Sequence, residues 1–74
     1  MPIGYLLINT ETGHMKNVLE ALEKIDAVEE AYMLYGTYDI IAKIKIDNMD
    51  ALKDIVIRVR LLKKVRQTQT MVVM

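Results

Sequence analysis

The run Tyr35-Gly36-Thr37-Tyr38-Asp39 gathers one of three glycines, two of four tyrosines and a carboxylate into five positions. Glycine accepts a positive φ and leaves its backbone open to close approach, which suits a hairpin turn and a ligand equally. Asp39, three residues on, sits where it accepts hydrogen bonds from loop amides or from a ligand's ammonium group. Tyr35 and Tyr38, with Tyr32 nearby, have an apolar body and a polar tip. They fit the rim of a small-molecule pocket, and they fit aromatic packing across paired strands as well. A Gly-x-x-Asp spacing is compatible with a turn held by its aspartate and with a turn that binds. Its chemistry alone leaves both readings open.

No other group of residues suggests catalysis. His14 is the only histidine, and it falls at the start of an expected helix, a position that suits a solvent-exposed or capping residue. There is no serine, and Thr10, Thr12, Thr37, Thr68 and Thr70 have no base beside them in sequence. Patterns of the zinc-protease, nucleophile-elbow and phosphate-loop types are absent. Asp47 and Asp50 could be read as a metal pair, but helix capping accounts for them better. We therefore expect no catalytic residue, no metal site, no cofactor and no enzymatic activity. The absence of cysteine removes a disulfide framework and thiolate metal sites.

The charges are ten basic against ten acidic residues, interspersed along the chain. Arg58, Arg60, Lys63, Lys64 and Arg66 form one local basic cluster. Without a helix-turn-helix or aromatics on a basic sheet face, it reads as solvated surface, and direct nucleic-acid binding is not expected. It would equally suit an intersubunit charge contact or an acidic ligand. No apolar run approaches the roughly 20 residues of a membrane span, and no signal peptide opens the chain. A cytoplasmic protein is expected, and the Ile, Val, Lys and Glu content has a thermophilic cast.

The elements that must position these residues follow from periodicity. Ile3 to Ile8 is a short apolar run consistent with a strand buried on both faces. Met15, Val18, Leu19, Leu22 and Ile25 recur at helical spacing, with Thr12 as the expected cap. Val28 to Tyr35 and Tyr38 to Ile46 read as strands joined at Gly36. The second alternates, with Tyr38, Ile40, Ala42, Ile44 and Ile46 on one face. A second helix carries Met49, Leu52, Ile55, Val56, Val59 and Leu62 inward, capped from Asp47, Asn48 or Asp50, with Asp54 and Arg58 as an i,i+4 pair. Val65 to Val73 is a last strand.

This order is βαββαβ, which predicts an α+β, ferredoxin-like domain: a four-stranded antiparallel sheet with both helices on one face. Two short helices cover one face only, yet the strands carry apolar residues in both phases. Leu6 and Ile8 stand against Ile3, Tyr5 and Leu7, and Ile40 against Ile41. The uncovered face would expose more apolar surface than a monomer tolerates, so the sheet is expected to pair with a second copy. A chain of 74 residues without disulfides is also near the size at which partners are usually required.

The stretch VEEAYMLYGTYDIIAKIKID, followed by a helix and the ending VRQTQTMVVM, resembles the effector domain of the Lrp/AsnC family, also called the RAM domain. The resemblance covers the whole chain, so residues 1–74 are expected to form a single domain. It rests on the Gly-x-Tyr-Asp turn and the T-x-T ending in the right order and distance. It implies a domain that dimerises through its sheet, dimers that close into rings, commonly octamers, and a free amino acid as effector at contacts between dimers. Carried over by position, Asp39 would meet the α-ammonium and the Gly36 backbone would lie beside the carboxylate or side chain. Tyr35, Thr37 and Tyr38 would flank the ligand, and a neighbouring subunit would complete the pocket.

The chain opens on its first strand without the helix-turn-helix of the full-length regulators. It is therefore expected to be a stand-alone module linked to transcription regulation of amino-acid metabolism, without a DNA-binding domain of its own. It would act alone or co-assemble with a full-length Lrp/AsnC regulator. The connection RLLKKVRQ departs from the family in lacking a Gly or Pro turn. Three other readings share the βαββαβ order: an ACT-like regulatory domain with Gly13 at the site, a small dimeric α+β-barrel enzyme of the monooxygenase type using His14 or a tyrosine, and a purely structural assembly module.

Overall fold

A computed structural model describes residues 3–73. Strand β1 spans Ile3–Thr10, helix α1 Met15–Glu23, β2 Val28–Met33, β3 Ile40–Lys45, α2 Met49–Arg60 and β4 Val65–Val73. The order is βαββαβ, as its periodicities predict. The strands form one sheet in the order β2-β3-β1-β4, with every neighbouring pair antiparallel. The two apolar-rich strands, β1 and β3, occupy the centre.

Alternation along β1 and β3 decides the faces. Gly4, Leu6, Ile8 and Thr10 are buried while Ile3, Tyr5, Leu7 and Asn9 are half-buried, and Ile40, Ala42 and Ile44 repeat the pattern on β3. The buried phase meets Val18, Leu22 and Ile25 from the α1 segment, and Leu52, Ile55 and Val59 from α2. Both helices thus lie on one face. β1 is therefore not buried on both faces, as its apolar run suggests: one side is covered and the other is left half-open.

Gly4 leaves room for close approach. A Cβ there would stand 2.7 Å from the Cδ1 of Ile46 and 3.2 Å from the Cγ1 of Ile44, so its absence lets those side chains cross β1.

Four local expectations change. Thr12 does not cap α1: His14 holds the N-cap position, with no side-chain hydrogen bond. α2 begins as expected at Asn48, whose Oδ1 accepts from the Ala51 amide at 2.8 Å. Met49, expected in the core, is exposed at the first position of the helix. Asp54 and Arg58 do not pair; the ion pairs among the described residues are Lys43–Glu30 and Lys64–Glu11. β2 and β3 are also shorter than their apolar runs, so Leu34 to Asp39 belong to the connection between them.

Candidate functional site

The β2–β3 connection is fastened at both ends. The Leu34 amide donates to the Asp39 carbonyl at 2.7 Å, and the Asp39 amide donates to the Ile8 carbonyl at 2.9 Å. These bonds continue the β2–β3 and β1–β3 ladders by one step and set the Asp39 side chain beside the end of β1. There its Oδ2 accepts from the Thr10 amide at 2.8 Å and from the Thr10 hydroxyl at 3.3 Å. Oδ1 has no hydrogen-bond partner among the described residues. Half of the carboxylate therefore secures the turn and half remains available.

Asp39 lines a polar depression of about 460 Å³ with Thr37, Asn9, Thr10, Thr12, Arg66 and Gln67. That volume falls within the roughly 300–1,000 Å³ of small-molecule sites. Of the five residues named from the sequence, Thr37 and Asp39 line this depression and Tyr35, Gly36 and Tyr38 do not. Tyr35 is fully exposed, Tyr38 is half-buried and Gly36 is exposed, with nothing within 4 Å of a Cβ built upon it. Gly36 has φ of 158°, close to extended backbone, while Gly13 in the β1–α1 turn has φ of 84°. Tyr32 also lies apart: its hydroxyl donates to Glu30 Oε1 at 2.9 Å. That bond, with the carboxylate's charge, raises the phenol above its usual pKa.

Asn9, Thr10, Thr12, Arg66 and Gln67 escaped sequence reasoning as site residues. Thr10 lies 29 residues before Asp39, and only strand pairing brings the two together. Arg66 and Gln67 arrive through the β1–β4 register, which no local motif encodes. A second cleft, on the far side of Arg66 and Gln67, adds Arg60, Val65 and Thr68. There Arg60 Nε donates to Thr68 Oγ1 at 3.2 Å.

The start of β4 is shaped by two irregularities. Thr10 faces Val65 and Asn9 faces Gln67, so Arg66 is an extra residue, a β-bulge. Lys64, two residues before it, holds φ of 76°. That segment is tied back to the end of β1 by Glu11, whose amide donates to the Lys64 carbonyl at 2.8 Å and whose carboxylate meets Lys64 Nζ at 3.3 Å. Among the described residues no group of three or more histidine or acidic side chains comes together, and no helix is long and apolar enough to cross a membrane.

This arrangement is a ligand-sized polar recess between a hairpin and the end of a central strand. The profile of the Lrp/AsnC ligand binding domain matches residues 4–74, and the chain belongs to that family. The structure superposes on a protein from Pyrococcus horikoshii with a TM-score of 0.93 at 31% identity, over 100% of this chain and 90% of that one. AsnC of E. coli matches with a TM-score of 0.92 at 27% identity, over 99% of this chain and 50% of AsnC. A transcriptional regulator of Neisseria meningitidis, solved with L-Met, shares the fold: TM-score 0.87 at 16% identity, over 99% of this chain and 49% of that one. A search of curated proteins finds no match. The family decides among the βαββαβ alternatives in favour of a ligand-binding regulatory domain over ACT-like and monooxygenase-like domains.

Proposed function

We propose that this chain is an amino-acid-binding, oligomerising regulatory module of the cytoplasm, linked to transcription regulation of amino-acid metabolism. It acts alone or with a full-length Lrp/AsnC regulator. Asp39 is the partner of the ligand's α-ammonium, and Thr37 lies beside it. Tyr35, Gly36 and Tyr38 extend the same hairpin outward, where a neighbouring subunit completes the site. Dimers form through the open sheet face and assemble further, to an octamer.

One observation carries the reading: the Asp39 carboxylate lines a ligand-sized recess with one oxygen engaged by Thr10 and the other open. An ammonium group supplies what that second oxygen lacks. The exposure of Tyr35 and the empty space over Gly36 support a neighbouring surface there. The L-Met complex of the Neisseria meningitidis regulator supports the ligand class.

The test is a thermal-shift screen of the twenty common L-amino acids, followed by calorimetry on Asp39→Asn. Binding to the native state at a hundredfold excess over Kd stabilises by about 2.7 kcal/mol. In a domain this small that raises Tm by about 10 °C or more. Asp39→Asn keeps an oxygen for Thr10 but removes the charge, and affinity should fall roughly ten- to a hundredfold. Undiminished affinity in this variant would show that Asp39 does not hold the ammonium.

A further inference from the structure

An α-amino acid brings two opposite charges one carbon apart, and the reading above accounts for only one of them. We propose that Arg66 binds the ligand's α-carboxylate, so that a single chain supplies both charges the ligand requires. The inference rests on Asp39 as the ammonium partner.

Three observations support it. Arg66 lines the same recess as Asp39, yet the two make no ion pair within 4.0 Å. Opposite charges that share a recess without closing on each other leave a gap for a dipolar ligand. Secondly, two cations beside the recess, Lys64 and Arg60, are held by Glu11 and by the Thr68 hydroxyl, while Arg66, which lines it, is not held. Among the described residues Arg66 has no hydrogen-bond or ion-pair partner. Thirdly, Arg66 is the inserted residue of the bulge between β1 and β4. A bulge re-aims the side chain it carries and is common beside binding sites. Lys64, two residues ahead of it, holds a left-handed φ of 76°, a conformation costly for lysine and therefore imposed by the surrounding structure. Guanidinium is suited to the task, since its fork matches a carboxylate with two parallel hydrogen bonds.

The experiment compares the tightest-binding of the twenty L-amino acids with its own primary amide, which keeps the ammonium and side chain but loses the negative charge. Both are titrated by calorimetry into the wild type, Arg66→Gln and Arg66→Lys. The wild type should prefer the acid by about tenfold or more, as expected of a charge-assisted contact. Arg66→Gln should bind the acid about tenfold more weakly and lose most of that preference, while its affinity for the amide stays within about threefold of wild type. Arg66→Lys should keep part of the preference as a point charge. An unchanged Tm without ligand confirms that the exposed substitution leaves the fold intact.

If Arg66→Gln still prefers the acid as strongly as the wild type, the assignment of Arg66 is overturned and amino-acid binding by Asp39 stands. Equal binding of acid and amide by the wild type overturns it too. If the wild type binds none of the twenty, the functional reading and this inference fall together.

Discussion

The Asp39 carboxylate has to hold its own loop and, in the proposed function, a ligand as well. The two duties separate by substitution. Asp39→Ala leaves the Thr10 amide without its acceptor in a partly buried position, at a cost of about 1–3 kcal/mol. Asp39→Asn retains an oxygen acceptor, so its loss of stability should be under about 1 kcal/mol. Urea unfolding of the two variants measures the difference; equal stabilities would mean that the Thr10 bond contributes nothing. The turn was legible in the sequence because glycine and aspartate have local conformational roles. Thr10 and Arg66 were not, because their places come from strand register and from a bulge. Arg66 appeared in the sequence only as one member of a basic cluster. The structure separates that cluster into two residues already engaged, Lys64 and Arg60, and three without a partner among the described residues, of which Arg66 alone lines the recess beside Asp39.

At the scale of elements, the strand and helix periods were legible wherever burial sets them. β4 runs from Val65 to Val73 as its pattern predicts, and the buried phase of β3 is Ile40, Ala42 and Ile44. Periodicity fails where the chain leaves the sheet. Tyr35 and Tyr38 are good strand residues by type, but the bond from Leu34 to Asp39 closes the ladder and leaves Tyr35 outside it. Caps divide in the same way. Asn48 reads correctly, since its side chain reaches the Ala51 amide within its own helix turn. Thr12 misleads, because it and Gly13 form the middle of a turn, closed by the His14 amide on the Glu11 carbonyl, and the helix starts only beyond it. The two helix starts should therefore answer differently to alanine. Asn48→Ala removes a cap and should cost about 1 kcal/mol. His14→Ala removes no capping bond, and it takes away a buried Nδ1 without a partner. Chemical denaturation should show the Asn48 variant to be the less stable of the two, and the reverse order would contradict the capping assignment.

For the whole molecule, the consequence of covering one sheet face is an open one. Ile3, Tyr5 and Leu7 on β1 share that face with Ile41 on β3 and with Met71 and Val73 on β4. Register places Leu7 between Ile41 and Gln69, and Tyr5 between Lys43 and Met71. The face is apolar around Leu7, Ile41, Met71 and Val73; Lys43 on central β3 also lies on it, tied by an ion pair to Glu30 on the β2 edge, which in turn accepts from Tyr32. An apolar area with polar groups beside it is the composition of an interface, and a twofold pairing would lay each apolar area on the other. Leu7 tests this cleanly, because it contributes to the open face and not to the buried core. Leu7→Lys should keep the fold, since lysine remains solvated on an open face. It should break the pairing, since an ammonium group from each copy would be buried in the interface without a partner. Sedimentation equilibrium at micromolar concentration should find the wild type as a dimer or a multiple of it, and the Leu7→Lys chain as a folded monomer by circular dichroism. A wild-type monomer, or a Leu7→Lys chain of unchanged mass, would mean that the open face is not where copies meet.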